Sequence, residues 1–174
     1  MKKNTNIFIV GPLGSGKTTI GRGLAKILKR KFYDVDHVIA ERVGVDIAWI
    51  FDIEGEEGFR KREAAILKEL AELSNVVIST GGGAILLEEN RKLLKENGFV
   101  IYLYTNHEQQ LKRTRYNKQN RPLLLVKDVK SKIKEFGEKR EPLYEEVADI
   151  KFTTGNKPIK SAIKEIFKQL PLVK

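Results

Sequence analysis

Residues 11–18 (GPLGSGKT) have the types and the spacing of a loop that binds phosphate. They follow a short apolar run at residues 7–10 and precede a segment of helical periodicity that begins near Lys17. Glycines let such a loop close its backbone N–H groups around a phosphate, and the start of the helix adds partial positive charge. The alternative, a glycine-rich turn that merely joins a strand to a helix, does not account for this combination of residues.

The chemistry of such P-loops assigns a role to each polar side chain. Lys17 is expected to reach the β- and γ-phosphates of a nucleotide, and Thr18 is expected to supply a hydroxyl to Mg²⁺. The sequence therefore predicts a site for a nucleotide and Mg²⁺. Its candidate nucleotide contacts in the loop are Gly14, Ser15, Gly16, Lys17, Thr18 and Thr19.

Two carboxylates and a run of three glycines follow the next two predicted strands. Asp34 and Asp36 end the β-prone run at residues 32–36, and residues 81–83 (GGG) follow the strand predicted at 75–79. Since ligands lie outside the carboxyl ends of parallel strands, all of these residues should face one crevice with the P-loop. Asp34 is expected to hold a metal-bound water. If the strand continues, Asp36 points the same way and could accept a hydrogen bond from a substrate hydroxyl. The alternative for this pair is a solvated turn in which Asp caps a helix.

The elements that must position these residues alternate along the chain. Strands are predicted at 7–10, 32–36, 75–79, 99–104 and 149–154, and helices near 17–28 and at 38–43, 48–51, 58–73, 86–97, 107–116, 129–143 and 159–170. Gly98 is predicted to end its helix as a C′ glycine. Strands separated by helical crossovers indicate an α/β fold whose parallel sheet is covered on both faces.

Composition limits the class of protein. With 174 residues, 41% of them hydrophobic, the chain can form one substantial core, so we expect a single domain over residues 1–174. There is no cysteine for a disulfide, and no secretory signal or apolar run of transmembrane length, so we expect a cytoplasmic protein. The net charge of +10 suits an anionic partner without choosing among polynucleotide, nucleotide and small carboxylate. Since the basic residues have neither interleaved aromatics nor a base-reading motif, we expect no nucleic-acid partner. We also expect no membrane partner and a monomer.

Six motifs, GPLGSGKTT, FYDVD, GEEGFRKRE, STGGG, RPLL and KREPLY, occur in this order between residue 7 and about residue 148. Together they resemble shikimate kinases, P-loop enzymes that phosphorylate shikimate with ATP and Mg²⁺ in aromatic amino-acid biosynthesis. The resemblance implies a three-layer α/β/α fold with a five-stranded parallel sheet in the order 2-3-1-4-5. It also implies a substrate-binding helical region at about 33–62 and a mobile lid at about 113–126.

The resemblance also implies roles for residues that spacing alone leaves undecided. Arg60 and Arg140 match the arginines that hold the substrate carboxylate, and a planar guanidinium suits such a bidentate contact. Asp36 and the glycine loop, most directly Gly82, match the groups that meet the ring hydroxyls. The candidate substrate contacts are Asp36, Arg60, Gly81, Gly82, Gly83 and Arg140.

The remaining matches concern the nucleotide. Arg121 resembles the lid arginine that approaches the ATP phosphates. Arg113 resembles the arginine that flanks adenine. Lys157 lies in the segment after the last strand, which in the family contacts the nucleotide. We expect Lys17, Asp36 and Arg121 to carry catalysis by in-line phosphoryl transfer. No usual Walker B carboxylate is present, which leaves Asp34 beside Mg²⁺.

Some nearby residues and one other activity remain open. Trp49 and Phe51 are expected to wall the substrate pocket, and Glu63 could orient a neighbouring arginine. His37 and His107 lack the spacing of a metal site. The main alternative activity is that of another small-molecule kinase, such as a gluconate kinase, which should lack the paired arginines.

Overall fold

The computed structural model describes residues 6–115 and 122–171. Within these ranges one parallel sheet has the strand order β2-β3-β1-β4-β5. Its strands are β1 (Asn6–Val10), β2 (Lys31–Asp34), β3 (Val76–Ser79), β4 (Gly98–Tyr104) and β5 (Ile150–Thr153). The predicted parallel sheet and its order 2-3-1-4-5 are confirmed. Since β1 lies at the centre, the P-loop that follows it opens at the middle of the sheet's carboxyl edge.

Helices connect the strands and cover both faces of the sheet. They are α1 (Lys17–Leu28), α2 (Val35–Val43), α3 (Ile47–Ala71), α4 (Glu88–Asn97), α5 (His107–Thr114), α6 (Val129–Val147) and α7 (Ile159–Gln169). Short 3₁₀ turns at Ala84–Leu86 and Pro122–Leu124 precede α4 and α6. None of the helices in the described ranges is both long enough and apolar enough to cross a membrane.

The core has two layers because successive residues of a strand point to opposite faces. Ile7 and Ile9 of β1 pack with α1 and α7 on one face. Phe8 and Val10 pack with α2, α3, α4 and α6 on the other. All four side chains are fully buried, as expected for the central strand of a parallel sheet. This two-sided burial makes β1 a rigid base for the loop at its carboxyl end.

Several predicted helix boundaries differ from the structure. The helices predicted at 48–51 and 58–73 are both present in α3 and are separated by a kink at Gly55, whose φ of 71° and ψ of −179° are not helical, but the first is longer than predicted and the second ends at Ala71. Gly98 does follow α4, but its backbone is extended rather than left-handed, so the predicted C′ conformation is wrong. Gly98 instead pairs with Asn6 at the start of β4, where a Cβ atom would lie 2.5 Å from the Asn6 carbonyl oxygen. Close approach of two strands therefore favours glycine there.

Candidate active site

The P-loop leaves β1 at Gly11 and ends at Gly16, the N-cap of α1. Gly14 and Gly16 have φ angles of 75° and 88°, in the region that favours glycine. The Lys17 ammonium lies over the loop, with Nζ donating to the carbonyl oxygens of Gly11 and Pro12 at 2.8 Å each. The Lys17 ammonium and the N-terminus of α1 thus both place positive charge at this loop, a combination that suits an anion. The Ser15 hydroxyl is buried in the loop and has no hydrogen-bond partner among the described residues.

Thr18 and Asp34 meet beside this loop. The Thr18 hydroxyl donates to Asp34 Oδ2 at 2.7 Å, and both residues line the cleft that also contains Lys17. A hydroxyl and a carboxylate fit Mg²⁺, which prefers oxygen ligands and binds few protein groups because it retains water. Within the described residues no group of three or more His, Cys, Asp or Glu side chains could hold a metal ion, so His37 and His107 join no such cluster.

Asp36 reaches the cleft by a different route from the one predicted. β2 ends at Asp34, whose Oδ1 accepts a hydrogen bond from the His37 backbone N–H at 3.2 Å and so caps α2. Asp36 therefore lies in the first turn of α2, and the prediction that the strand continues through it is wrong. Asp34 therefore caps a helix, as in the alternative hypothesis for this pair, and it also accepts the hydrogen bond from Thr18. Asp36 still borders the cleft, because the first turn of α2 starts at the sheet's carboxyl edge.

The environment of Asp36 raises its pKa to about 7. Burial contributes most, followed by the neighbouring carboxylates of Glu63 and Asp34, while Lys17 and Arg60 oppose the shift. Its Oδ1 is buried and has no hydrogen-bond partner in the described part of the chain. A carboxyl group with a pKa near neutrality and an unused acceptor is suited to receive a hydrogen bond or a proton from a hydroxyl.

Arg60 is held by two carboxylates on its own helix. Its Nη1 donates to Glu63 Oε1 at 2.8 Å and its Nη2 to Glu56 Oε1 at 3.3 Å. Glu63 is fully buried, and burial raises its pKa although Arg60 opposes the shift. The predicted orientation of an arginine by Glu63 is confirmed. Glu56, one turn earlier on α3, also takes part. Arg60 is 11% exposed, so its guanidinium has a fixed position rather than a solvated one.

Arg140 approaches from α6, on the other side of the glycine turn. It is 5% exposed, and its guanidinium carbon lies 4.0 Å from the centre of the Phe136 ring. Burial lowers its pKa from the ordinary value. Its Nη1 lies near Gly82, at 3.6 Å from the place that a Cβ atom would occupy. Arg60 and Arg140 therefore flank the same turn although 80 positions separate them in the sequence.

The glycine turn 81–83 is closely covered by these charged groups. A Cβ atom on Gly81 would lie 2.5 Å from Glu63 Oε2 and 3.0 Å from Asp36 Oδ1. A Cβ atom on Gly83 would overlap the Arg60 guanidinium. The φ of Gly83 is −96°, which any residue type can adopt, so the backbone conformation does not require glycine. Glycine is required at position 83 because of the contact with Arg60. The absence of side chains here lets arginine and carboxylate groups lie directly on the backbone.

Gly83→Ala is accordingly expected to move the Arg60 guanidinium and to raise the KM for the carboxylate-bearing acceptor that the family resemblance implies. A misplacement of about 1 Å can cost about 100-fold in rate. The measurement is steady-state kinetics in each substrate, and the KM for ATP should change little. Gly44→Ala is the control, because a Cβ atom at Gly44 would meet no neighbouring atom, while its φ of 79° makes the substitution strain the backbone. It should lower the melting temperature without affecting the acceptor, and equal effects of the two variants would contradict this account.

A partly open pocket lies between the two arginines. Its polar lining comprises Asp36, Arg60, Glu63, Gly81, Gly82, Gly83 and Arg140, and its apolar lining comprises Leu13, Ile47, Phe51, Phe59, Pro122 and Leu123. Phe51 walls the pocket as predicted and packs against Phe59, with ring centres 4.7 Å apart and ring planes tilted by 35°. Trp49 does not: its side chain is 57% exposed, because it lies two positions from Phe51 and so on a different side of α3.

This pocket, called the acceptor pocket below after the acceptor expected from the sequence, is continuous with the cleft at the P-loop. Asp36, Gly81, Gly82 and Leu13 line both. The pocket offers two guanidinium groups to an anion, and the cleft offers the P-loop to a phosphate. Asp36 lies at the border of the pocket and the cleft, where a group transferred between molecules bound in the two sites would pass.

One end of the cleft is bounded by Arg113. Its Nη1 donates to the Gly14 carbonyl oxygen at 2.8 Å and its Nη2 to that of Gly155 at 3.0 Å, so it joins the P-loop to the segment after β5. Lys157 lines a neighbouring cavity, but its Nζ contacts Glu165 Oε2 at 2.7 Å. Arg121 and residues 116–120 of the predicted lid lie outside the described residues. Residue 116 is also the predicted last residue of the helix at 107–116, so that end of the predicted helix lies outside the described residues.

Several residues of the site were not predicted. Leu13, Ile47 and Phe59 form apolar walls, and nothing in their spacing distinguishes them from ordinary core residues. Tyr144, four positions after Arg140, is fully buried, and its hydroxyl donates to the Gly82 carbonyl oxygen. An i, i+4 spacing places both side chains on one face of a helix and could have indicated it.

Comparison with known proteins gives a consistent result. The family model for shikimate kinase matches residues 13–171. A shikimate kinase of Legionella pneumophila (strain Corby) is 49% identical over 168 residues, covering 97% of this chain and 95% of the relative. The solved structure of shikimate kinase from Acinetobacter baumannii in complex with shikimate has a TM-score of 0.94 and 44% identity, covering 99% of this chain and 96% of that one. A gluconokinase from Sinorhizobium meliloti 1021 has a TM-score of 0.58 at 16% identity, covering 99% and 95% of the two chains, and shares the fold alone.

Proposed function

The chain belongs to the shikimate kinase family, and from this premise we propose that it transfers the γ-phosphoryl group of ATP to shikimate, giving shikimate 3-phosphate. The observation that carries the proposal is the continuity of two sites. A pocket with two buried guanidinium groups opens into a P-loop cleft, and Asp36 borders both. The pocket fits a small acceptor with one carboxylate, and the border fits an acceptor hydroxyl.

The carboxylate would be bound by Arg60 and Arg140. A carboxylate leaving water needs charge-assisted partners, and two guanidinium groups from opposite sides satisfy its oxygens and fix the ring in one orientation. Glu63 and Glu56 hold Arg60 in place for this purpose. The apolar lining, including Phe51 and Phe59, would cover the carbon ring. Glycines at 81–83 would let the ring hydroxyls approach the backbone.

Phosphoryl transfer would then depend on positioning and on neutralisation of charge. Lys17 lies at the P-loop and would neutralise charge on the β- and γ-phosphates. Asp36 would accept the hydrogen bond of the attacking hydroxyl and receive its proton, as its raised pKa allows. Thr18 and Asp34 would hold Mg²⁺, which when bound withdraws charge from the phosphates.

Further assignments follow from the family and from the P-loop geometry. Gly14, Ser15, Gly16 and Thr19 would contact the phosphates, and Arg113 would flank adenine. Arg121, in a lid at about 113–126, would approach the phosphates. For Lys157 the support is weaker, because its ammonium already pairs with Glu165. We extend the proposal to a single cytoplasmic domain over residues 1–174 with its substrate-binding region at about 33–62, monomeric and without nucleic-acid or membrane partners.

The arginine clamp is tested by combining an enzyme variant with a substrate variant. Arg60→Lys keeps the charge but loses the planar fork, so kcat/KM for shikimate should fall by roughly 10- to 100-fold, since hydrogen bonds to charged groups contribute about 1.5–3 kcal/mol. Shikimate carboxamide should be a poor substrate of the wild type. Its further loss with Arg60→Lys should be small, because the sensitive contact is already absent.

The matched control for this cycle is Arg62→Lys, two positions away on the same helix. Arg62 is exposed and pairs with Glu54 outside the pocket, so its replacement should leave both substrates unaffected. Additive penalties of Arg60→Lys and the carboxamide would mean that Arg60 does not touch the carboxylate. The proposed acceptor orientation would then be wrong.

A further inference from the structure

Tyr144 connects two parts of the acceptor pocket from behind. It lies on α6, is 1% exposed, and donates its hydroxyl hydrogen to the carbonyl oxygen of Gly82, 62 positions away. Gly82 belongs to the turn on which the acceptor would lie. The hydroxyl therefore fixes the plane of a peptide group in that turn, although Tyr144 itself does not line the acceptor pocket.

The same hydroxyl lies beside Arg140. The two residues are four positions apart on α6, so their side chains share one face of the helix, and both line a small cavity behind the pocket. Since a guanidinium only donates and the Tyr144 hydrogen goes to Gly82, the tyrosine oxygen can accept from Arg140. On the preceding turn of α6, Phe136 lies against the Arg140 guanidinium. Arg140 is thus held between Phe136 and Tyr144 on one face of the helix.

The ring of Tyr144 cannot easily turn away from these partners. It stacks on the Tyr102 ring of β4, with centres 5.0 Å apart and planes inclined by 28°. Tyr102 is itself fully buried in the central part of the sheet. The protein core therefore fixes the position of the Tyr144 hydroxyl. The hydroxyl in turn can fix the positions of the Arg140 guanidinium and the Gly82 peptide group.

We propose that Tyr144 is a positioning residue for the acceptor, whose hydroxyl holds the Arg140 guanidinium and the Gly82 peptide in the relative arrangement that receives the carboxylate and the ring. This inference rests on the proposed function. Without the hydroxyl, the Gly82 carbonyl oxygen loses its donor and Arg140 loses one of the two groups that flank it. The guanidinium can then adopt other orientations, and alignment of the acceptor suffers.

The test compares Tyr144→Phe with Tyr102→Phe in the full-length enzyme. Both changes remove one buried hydroxyl and keep the stacked pair of rings. The Tyr102 hydroxyl has no hydrogen-bond partner among the described residues, so it provides a matched control. Tyr144→Phe is expected to raise the KM for shikimate roughly tenfold while leaving the KM for ATP unchanged. Tyr102→Phe should change neither.

Shikimate carboxamide separates positioning from general loosening of the structure. If Tyr144 acts through Arg140, the penalty for the carboxamide should be several times smaller in Tyr144→Phe than in the wild type, because the carboxylate contact is already weakened. An unchanged carboxamide penalty, a parallel rise in both KM values, or identical kinetics of the two variants would overturn the inference. A wild-type enzyme that does not phosphorylate shikimate would overturn the proposed function and this inference together, whereas an active wild type isolates the role of Tyr144.

Discussion

Replacement of Lys17 by Met is expected to lower kcat by about 1000-fold, in the range measured when a preorganised donor to a transition state is removed. The Lys17 ammonium is held over the P-loop by the carbonyl oxygens of Gly11 and Pro12, where the phosphates would bind. Its loss removes a charge contact rather than core packing, so the fold should persist. Turnover of ATP with shikimate and the melting temperature should both be measured.

Lys26→Met is the matched control for this prediction. Lys26 lies on the same helix, is exposed, and takes no part in the cleft. Its replacement removes an equal charge from α1 without reaching the phosphates. A folded Lys17→Met enzyme with turnover close to that of Lys26→Met would contradict the assignment of the P-loop.

Asp36→Asn is expected to lower kcat by roughly 100-fold, the effect typical of losing a general base, while the affinity for ATP changes little. The amide keeps the shape of the side chain and removes its charge at the border of the pocket and the cleft. Because burial already disfavours the ionised carboxylate, the melting temperature should be no lower than that of the wild type. An inactive but fully stable variant would exclude unfolding as the cause.

Asp52→Asn is a suitable control, because Asp52 is an exposed carboxylate on α3. Kinetics in shikimate at saturating ATP, together with ATP binding by calorimetry, separate the two effects. If the two variants had the same kinetics with shikimate, Asp36 would not contact the reacting hydroxyl. The role of Asp36 as the hydroxyl's partner would then be wrong.

The sheet and the P-loop could be predicted because their determinants are local. A short apolar run, a glycine loop and a periodic helix are each visible within residues 7–28, and their alternation with later strands indicates the parallel sheet. The position of Asp36 could not be obtained in this way. Whether β2 continues or α2 begins depends on the Asp34 cap, and the same two carboxylates fit either outcome.

Contacts between distant segments were beyond local reasoning. Arg60 and Arg140 meet across the glycine turn only because α3 and α6 cover the same face of the sheet. Spacing alone leaves both as ordinary charged helix residues, and the family resemblance supplied the pairing. The need for glycine at position 83 likewise depends on where the Arg60 guanidinium lies. Trp49 and Phe51 look equivalent in sequence, and only the orientation of α3 separates them.

The most direct test of the account is ADP release by the wild-type enzyme with ATP and Mg²⁺ in the presence of shikimate, gluconate, nucleoside monophosphates or DNA. The geometry of one carboxylate pocket joined to one P-loop cleft predicts rapid ADP release with shikimate and only background release with the other compounds. ADP release with gluconate or a nucleoside monophosphate, and none with shikimate, would contradict it.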